Sequence, residues 1–281
     1  MVAGDKDVAF WVWAATLLNW PDVTLFLRLV YGFPAIGVLE RTGVFREGRA
    51  PPEECMSLED FLQGADGRVQ DFERKAGPSR DPEHDRQLIA LSEKDIASGA
   101  AEAFHTKEQM DARFGVGGWL HMECFVIYQP HSDRWRAIDN GKTFHNLSTT
   151  AYERVHTTSA EWCIAAAKEI RQHTPDRCED TTLEGGVEDE EGAYWCVASM
   201  DAHECVNVAG FFHAARKQVV YLPLRANAFG LSSSVHNYNR LPGMMVCFFT
   251  RVLLIVLTHF YDDYLLLDSS KGRGSAQAVF R

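Results

Sequence analysis

No Cys-x-x-Cys pair occurs in this sequence, no apolar run reaches the roughly 18 residues of a membrane span, and no stretch is dominated by basic side chains. The seven cysteines, at 55, 124, 163, 178, 196, 205 and 247, are odd in number and scattered. That excludes a disulfide framework and a zinc knuckle and suits a reducing, intracellular compartment, cytoplasmic or nuclear. His203-Glu204-Cys205 lacks the Pro-Cys-x-x-Cys partner that a zinc deaminase needs. The apolar segment 8–20 is short and follows Asp5-Lys6-Asp7 where a signal peptide has a basic region. Segment 244–257 is interrupted by Arg251, so no membrane association is expected. Basic residues are also in deficit, 28 Lys and Arg against 39 Asp and Glu for a net charge of −11. Phosphate contacts usually come with a basic surface, so this balance counts against a nucleic-acid partner. Part of the excess is local. Residues 179–191 hold seven acids and no base and read as a solvated loop.

What is present is ordinary globular material: 281 residues, 46% hydrophobic and 24% charged, enough to bury a real core. The first 50 residues read as a helix near 9–18, an apolar run over 25–31, and a Gly- and Pro-punctuated arm that packs across another part of the molecule. Pro51-Pro52 marks a boundary. Ser57 can cap a short helix, residues 75–85 read as a mobile connector, and a helical tract follows over 85–99. Thr106-Lys-Glu-Gln109 has the capping-box pattern. Residues 117–129 and 134–139 are β-prone and flank a Pro-His-Ser-Asp turn, which predicts a hairpin. Thr158-Ser-Ala-Glu161 opens a helix whose Cys163, Ala166, Ala167 and Ile170 have the spacing of a buried face. The apolar run 194–201 predicts a strand ending in Asp201, and residues 218–224 predict another. A helix follows Ser232, with Pro242-Gly243 expected to break or kink it.

The chemistry concentrates near the end of the sequence. In residues 257–267, Asp262 and Asp263 lie between two β-prone apolar runs, a hairpin with both acids on its turn. Like charges this close oppose each other's ionisation unless a cation joins them. Oxygen-only ligands suit Mg²⁺, which takes one or two carboxylates together with substrate phosphates. An exposed Asp-Asp turn without a metal is the alternative reading.

Asp201, Phe229-Gly230-Leu231-Ser232-Ser233 and Phe260-Tyr261-Asp262-Asp263 resemble, in order and spacing, the three palm motifs of reverse transcriptases of retroelement type. Arg134-Trp-Arg136-Ala-Ile-Asp139-Asn-Gly-Lys142 is similar to that family's fingers hairpin, and Arg136 matches the arginine that grips an incoming triphosphate. A guanidinium suits that task through its fixed, bidentate donors. The resemblance spans residues 113–267. It departs from the family at Val206, where an aromatic usually screens the sugar 2′ position, and at Asn227-Ala228, which replaces Leu-Pro before Phe-Gly.

The resemblance implies an α+β fold, an antiparallel palm sheet with packed helices and a helix and hairpin fingers region before it. Its divisions are an arm over 1–50, fingers over 51–185 and a palm over 186–281 that stops short of the family's thumb. It implies RNA-directed DNA polymerase activity on RNA or DNA template-primer and dNTPs. Asp201 and Asp262 hold two Mg²⁺ ions, Asp263 supports them, and Gly230 and Ser232 contact the nucleotide. Asp201 and Asp262 are then expected to converge across neighbouring strands, with Arg136 facing them. A decayed retroelement fragment, or a module that binds nucleic acid or protein without chemistry, remains open beside this reading. The sequence does not indicate an oligomeric state.

Overall fold

The computed structural model describes residues 7–48, 56–174, 182–190 and 192–280. It is a mixed α+β structure. In chain order, α1 (Val8–Leu18), α2 (Leu25–Tyr31) and the short strands β1 (Gly37–Val38) and β2 (Arg46–Glu47) form the arm. Next come α3 (Leu58–Leu62), α4 (Ala65–Lys75), α5 (Pro82–Ser98), α6 (Lys107–Phe114), β3 (His121–Gln129) and β4 (Arg134–Asn140). After β5 (Thr149–Thr150), β6 (Glu153–Arg154), α7 (Ala160–His173) and β7 (Leu183–Asp189), the chain makes β8 (Val208–His213) and β9 (Gln218–Pro223). It ends with α8 (Ser232–Arg251), the hairpin β10 (Val256–Phe260) and β11 (Asp263–Ser269), and α9 (Ser275–Phe280). The Pro51-Pro52 boundary lies outside the described residues.

Local chemistry sets most helix ends. The Asp7 carboxylate accepts the Phe10 N–H at the start of α1, and Asp81 caps α5 with Pro82 in its first turn. Thr106 and Gln109 close a reciprocal capping box on α6. Residues 76–81 do not form a loose connector, because Ser79 donates both its N–H and its hydroxyl to the buried Asp85 carboxylate.

A four-stranded sheet runs β4-β3-β8-β9, antiparallel except where β3 and β8 pair in parallel. Strand alternation divides its side chains between two cores. Met122, Cys124, Val126, Phe211, Val220 and Leu222 meet Leu88 of α5. On the other face Leu120, Val208 and Tyr221 meet Val69 of α4 and Met110 of α6. Burying such side chains stabilises by about 1.5–3 kcal/mol each. A second, antiparallel sheet of three strands runs β10-β11-β7. Helix α8 lies between this sheet and the arm, with Tyr238, Leu241 and Met244 against Leu25, Leu29 and Phe33, and Phe248 and Phe249 against Leu257, Tyr264 and Leu266.

Three further expectations from the sequence need correction. The acidic tract is not all loop, because Leu183–Asp189 is β7, zipped along the whole of β11 from Asp189↔Asp263 to Leu183↔Ser269. Residues 194–201 are not a strand. They make a 3₁₀ turn over Ala193–Cys196 and isolated bridges at Ala198 and Ser199, and Asp201 opens a second 3₁₀ helix, Asp201–Val206. Finally, of the break or kink expected at Pro242-Gly243 the break does not occur, and α8 continues to Arg251, because the ring removes one N–H bond while the surrounding residues Tyr238, Leu241 and Met244 are held in the core.

Candidate functional site

The hairpin of β10 and β11 carries the acids. Phe260 pairs with Asp263, which leaves Tyr261 and Asp262 as a two-residue turn. Tyr261 has φ 57°, the left-handed region, where a bulky residue is disfavoured. Backbone strain of this kind persists where the surroundings impose it, and it clusters at functional sites.

Strand β7 supplies a third carboxylate. Asp189 stands directly opposite Asp263 in the ladder, and the next residue, Glu190, donates its N–H to the Asp262 carbonyl at 3.0 Å. Directly opposite residues share one face of a sheet, and like charges placed so repel. Burial, then the charges of Asp262 and Asp189, hold the Asp263 carboxyl above its usual range. Among the described residues no ion pair involves Asp189, Asp262 or Asp263. This donor set, all oxygen and without a counter-ion, fits a hard divalent cation. As placed, however, no three His, Cys, Asp or Glu side chains among the described residues converge as a metal cluster.

The acids are backed by tyrosines. Tyr238 of α8 and Tyr264 of β11 both donate their hydroxyls to Glu190 Oε2, at 2.7 and 3.3 Å. Burial raises both phenols, and the Glu190 charge adds to it. Tyr194 packs edge-on against Phe229 at 4.7 Å and Tyr238 at 5.3 Å. Its phenol is pushed up to about 12 by burial and by the charge of nearby Asp262. A ladder of rings thus links the Phe-Gly-Leu-Ser-Ser segment to the acidic turn.

The other residues singled out from the sequence divide into two groups. Gly230 lies against the end of β4, where a Cβ would fall 1.5 Å from the Asp139 carbonyl oxygen. The close approach that requires glycine here is therefore to protein backbone. Asn146 bridges the same junction, donating to the Gly230 carbonyl at 3.0 Å and accepting the Ser232 N–H at 2.8 Å. The cap on α8 comes from Asn146, since neither Ser232 nor Ser233 supplies one, and Ser233 donates its hydroxyl to the Ala35 carbonyl instead. Arg136 is exposed on β4, opposite Ile127, with its Nε donating to Gln129 on its own hairpin at 2.7 Å. The structure therefore joins the base of the Arg136 hairpin to Gly230 and Ser232.

Asp201 belongs to neither group's strands. It is exposed in its 3₁₀ helix, outside the three-stranded sheet, so the carboxylate that the sheet brings beside Asp262 and Asp263 is Asp189. His203 accepts the Ala35 N–H at 3.1 Å, a structural task. Two cavities of about 300 and 250 Å³ lie around Phe212, and neither is lined by these acids or by Arg136. The acidic turn is a surface feature.

The sequence does not single out Asp189, because its tract reads as a solvated acidic loop. The aromatic Tyr194 stands five residues after Asp189, the offset that Val206 has from Asp201.

No protein-family model and no curated protein matches this chain.

Proposed function

We propose that this chain is a reverse transcriptase-like protein of retroelement type, an RNA-directed DNA polymerase whose nucleotidyl-transfer site is built from Asp262, Asp263 and Asp189. The observation that carries the reading is the ladder position of Asp189, opposite Asp263 and beside the strained Tyr261-Asp262 turn. On this reading β7, β10 and β11 are the core of an antiparallel palm sheet, and the β3–β4 hairpin belongs to the fingers. Asp189 and Asp262 would hold Mg²⁺, with Asp263 in support. Two such ions, when bound, lower the pKa of a primer 3′-hydroxyl and stabilise the leaving pyrophosphate. Glu190, fixed by two phenols, holds the turn through its N–H. Tyr194 takes the place, five residues after the carboxylate, of the aromatic that screens the sugar 2′ position. Arg136 approaches the triphosphate of an incoming dNTP from the hairpin whose base is seated on Gly230.

A module that binds without chemistry is the second reading, favoured by the lack of a converged metal cluster among the described residues.

Primer extension on a homopolymer RNA template separates them. Asp262→Asn and Asp189→Asn are expected to lower Mg²⁺-dependent dNTP incorporation at least about a hundredfold, equivalent to roughly 3 kcal/mol of transition-state stabilisation. Asp201→Asn is expected to leave incorporation within a factor of about two, and Tyr194→Val to raise ribonucleotide incorporation. Loss in Asp201→Asn with activity kept in Asp189→Asn would return the role to Asp201. Absence of any Asp262-dependent incorporation would favour the binding module.

A further inference from the structure

The two-stranded ribbon of β2 and β6 divides its charges by face. Arg46 pairs with Arg154 and Glu47 with Glu153 in an antiparallel ladder. The glutamates are committed. Glu153 is buried and accepts from the Thr42 N–H and hydroxyl and the Gly43 N–H, and Glu47 pairs with Arg41 at 3.3 Å. On the opposite face Arg46 and Arg154 are exposed, and neither joins an ion pair among the described residues. His156, two residues beyond Arg154 and outside β6, is exposed, with its ring edge-on to Phe45 and its Nδ1 3.5 Å from the Arg154 carbonyl oxygen.

Like charges directly opposite in a ladder destabilise it, and arginine cannot relieve the repulsion by losing its proton. Acids outnumber bases 39 to 28 in this chain, yet none of the described ones neutralises this pair. The buried Glu153 fixes β6, so strand alternation holds Arg154 outward, directly opposite Arg46 in the ladder. Such a pair is organised for an anion with several oxygens, and guanidinium forks match phosphate. The ribbon also leads to the acidic turn. Four residues past Arg154, Thr158 donates its N–H to the His259 carbonyl on β10 at 3.2 Å, and His156 lies within electrostatic reach of His259.

We propose that the Arg46 and Arg154 face of this ribbon holds a backbone phosphate of single-stranded nucleic acid beside the acidic hairpin. This rests on the polymerase reading, for which it names a contact to the template strand.

The test is fluorescence anisotropy with a labelled 20-nucleotide single strand, RNA or DNA, without Mg²⁺ or dNTPs and across a salt series. Each phosphate neutralised on a single strand adds roughly 0.7 to the slope of log affinity against log salt. Arg46→Gln with Arg154→Gln is expected to lower that slope by roughly 0.7 and the affinity about tenfold at low salt. Arg46→Glu supplies the sharper contrast. It places opposite charges across the ladder, so thermal stability should rise while binding falls. Binding is read without catalysis, which keeps this outcome separate from the fate of the polymerase reading, and Arg86→Gln, at an exposed arginine of α5, should bind like the wild type. Unchanged slope in the double variant overturns the proposal. Displacement of the strand from the wild type by low millimolar inorganic phosphate also overturns it, by making the face a free-anion site.

Discussion

At Gly230 one missing carbon lets two segments of the chain meet. With a Cβ 1.5 Å from the Asp139 carbonyl oxygen and 2.7 Å from its carbon, no rotamer can relieve the overlap, and backbone must move. Gly230→Ala is therefore expected to destabilise by about 3 kcal/mol or more, at the upper end of overpacking costs. Urea denaturation checks it, and a change below about 0.5 kcal/mol, the range of ordinary surface substitutions, would show that the junction is loose. The sequence marks Gly230 as a place of close approach but cannot name the neighbour, which lies about ninety residues away in a different hairpin. Asp262 and Asp263 are legible because apolar strands flank them on both sides. Asp189 is not, because its neighbours are acids and glycines, and only pairing to β11 gives the tract its shape.

Elements follow the same division between local and distant causes. The β3–β4 hairpin, the capping box of α6 and the buried Cys163 on α7 are all readable from spacing. Strand β7 and the unbroken α8 are not, since tertiary packing overrides weak strand propensity in one and a proline in the other. The packing of α5 on β4 has a pH signature of its own. Burial, then the charge of Asp139 on β4, push the Asp95 carboxyl from 3.8 up to about 6. A carboxyl raised in the folded state binds its proton more tightly there than in the unfolded chain. Its penalty is then absent below the ordinary value and develops fully as pH rises through about 6. Asp95→Asn removes the charge and keeps the shape. The variant is expected to be more stable than the wild type at pH 7.5 by about 1–2 kcal/mol, after allowance for partial solvent exposure. The gain should disappear near pH 4. Paired urea titrations at the two pH values measure it, and an equal difference at both would assign the effect to something other than this proton.

Across the whole molecule, the arm is fastened to α8 by charge as well as by apolar contact. Arg240 is 1% exposed, and its Nε and one terminal nitrogen donate to the two oxygens of Asp22 at 2.7 and 2.9 Å. It also reaches Thr24 at 2.7 Å and Glu40 at 3.1 Å, and lies over the Phe33 ring. All four partners belong to the arm, and α8 is the helix that carries Tyr238 to Glu190 beside the acidic turn. The arm and the acidic sheet are thus linked through one helix. Removing one partner of a buried pair leaves an uncompensated charge and costs about 3–5 kcal/mol, whereas replacing both by apolar groups can be nearly neutral. Asp22→Ala is accordingly expected to lose about that much, with Glu40 and Thr24 reducing the loss toward the lower figure. Asp22→Leu combined with Arg240→Met should recover most of it. Denaturation followed by tryptophan fluorescence and far-ultraviolet circular dichroism tests the linkage directly, because Trp11, Trp13 and Trp20 lie in the arm among seven tryptophans in all. The wild type should give coincident transitions, and in Asp22→Ala the fluorescence change should come first as the arm leaves α8. If both signals still move together in that variant at full wild-type stability, the apolar contacts of Leu25, Leu29 and Phe33 hold the arm unaided and the buried guanidinium is not what joins the two parts.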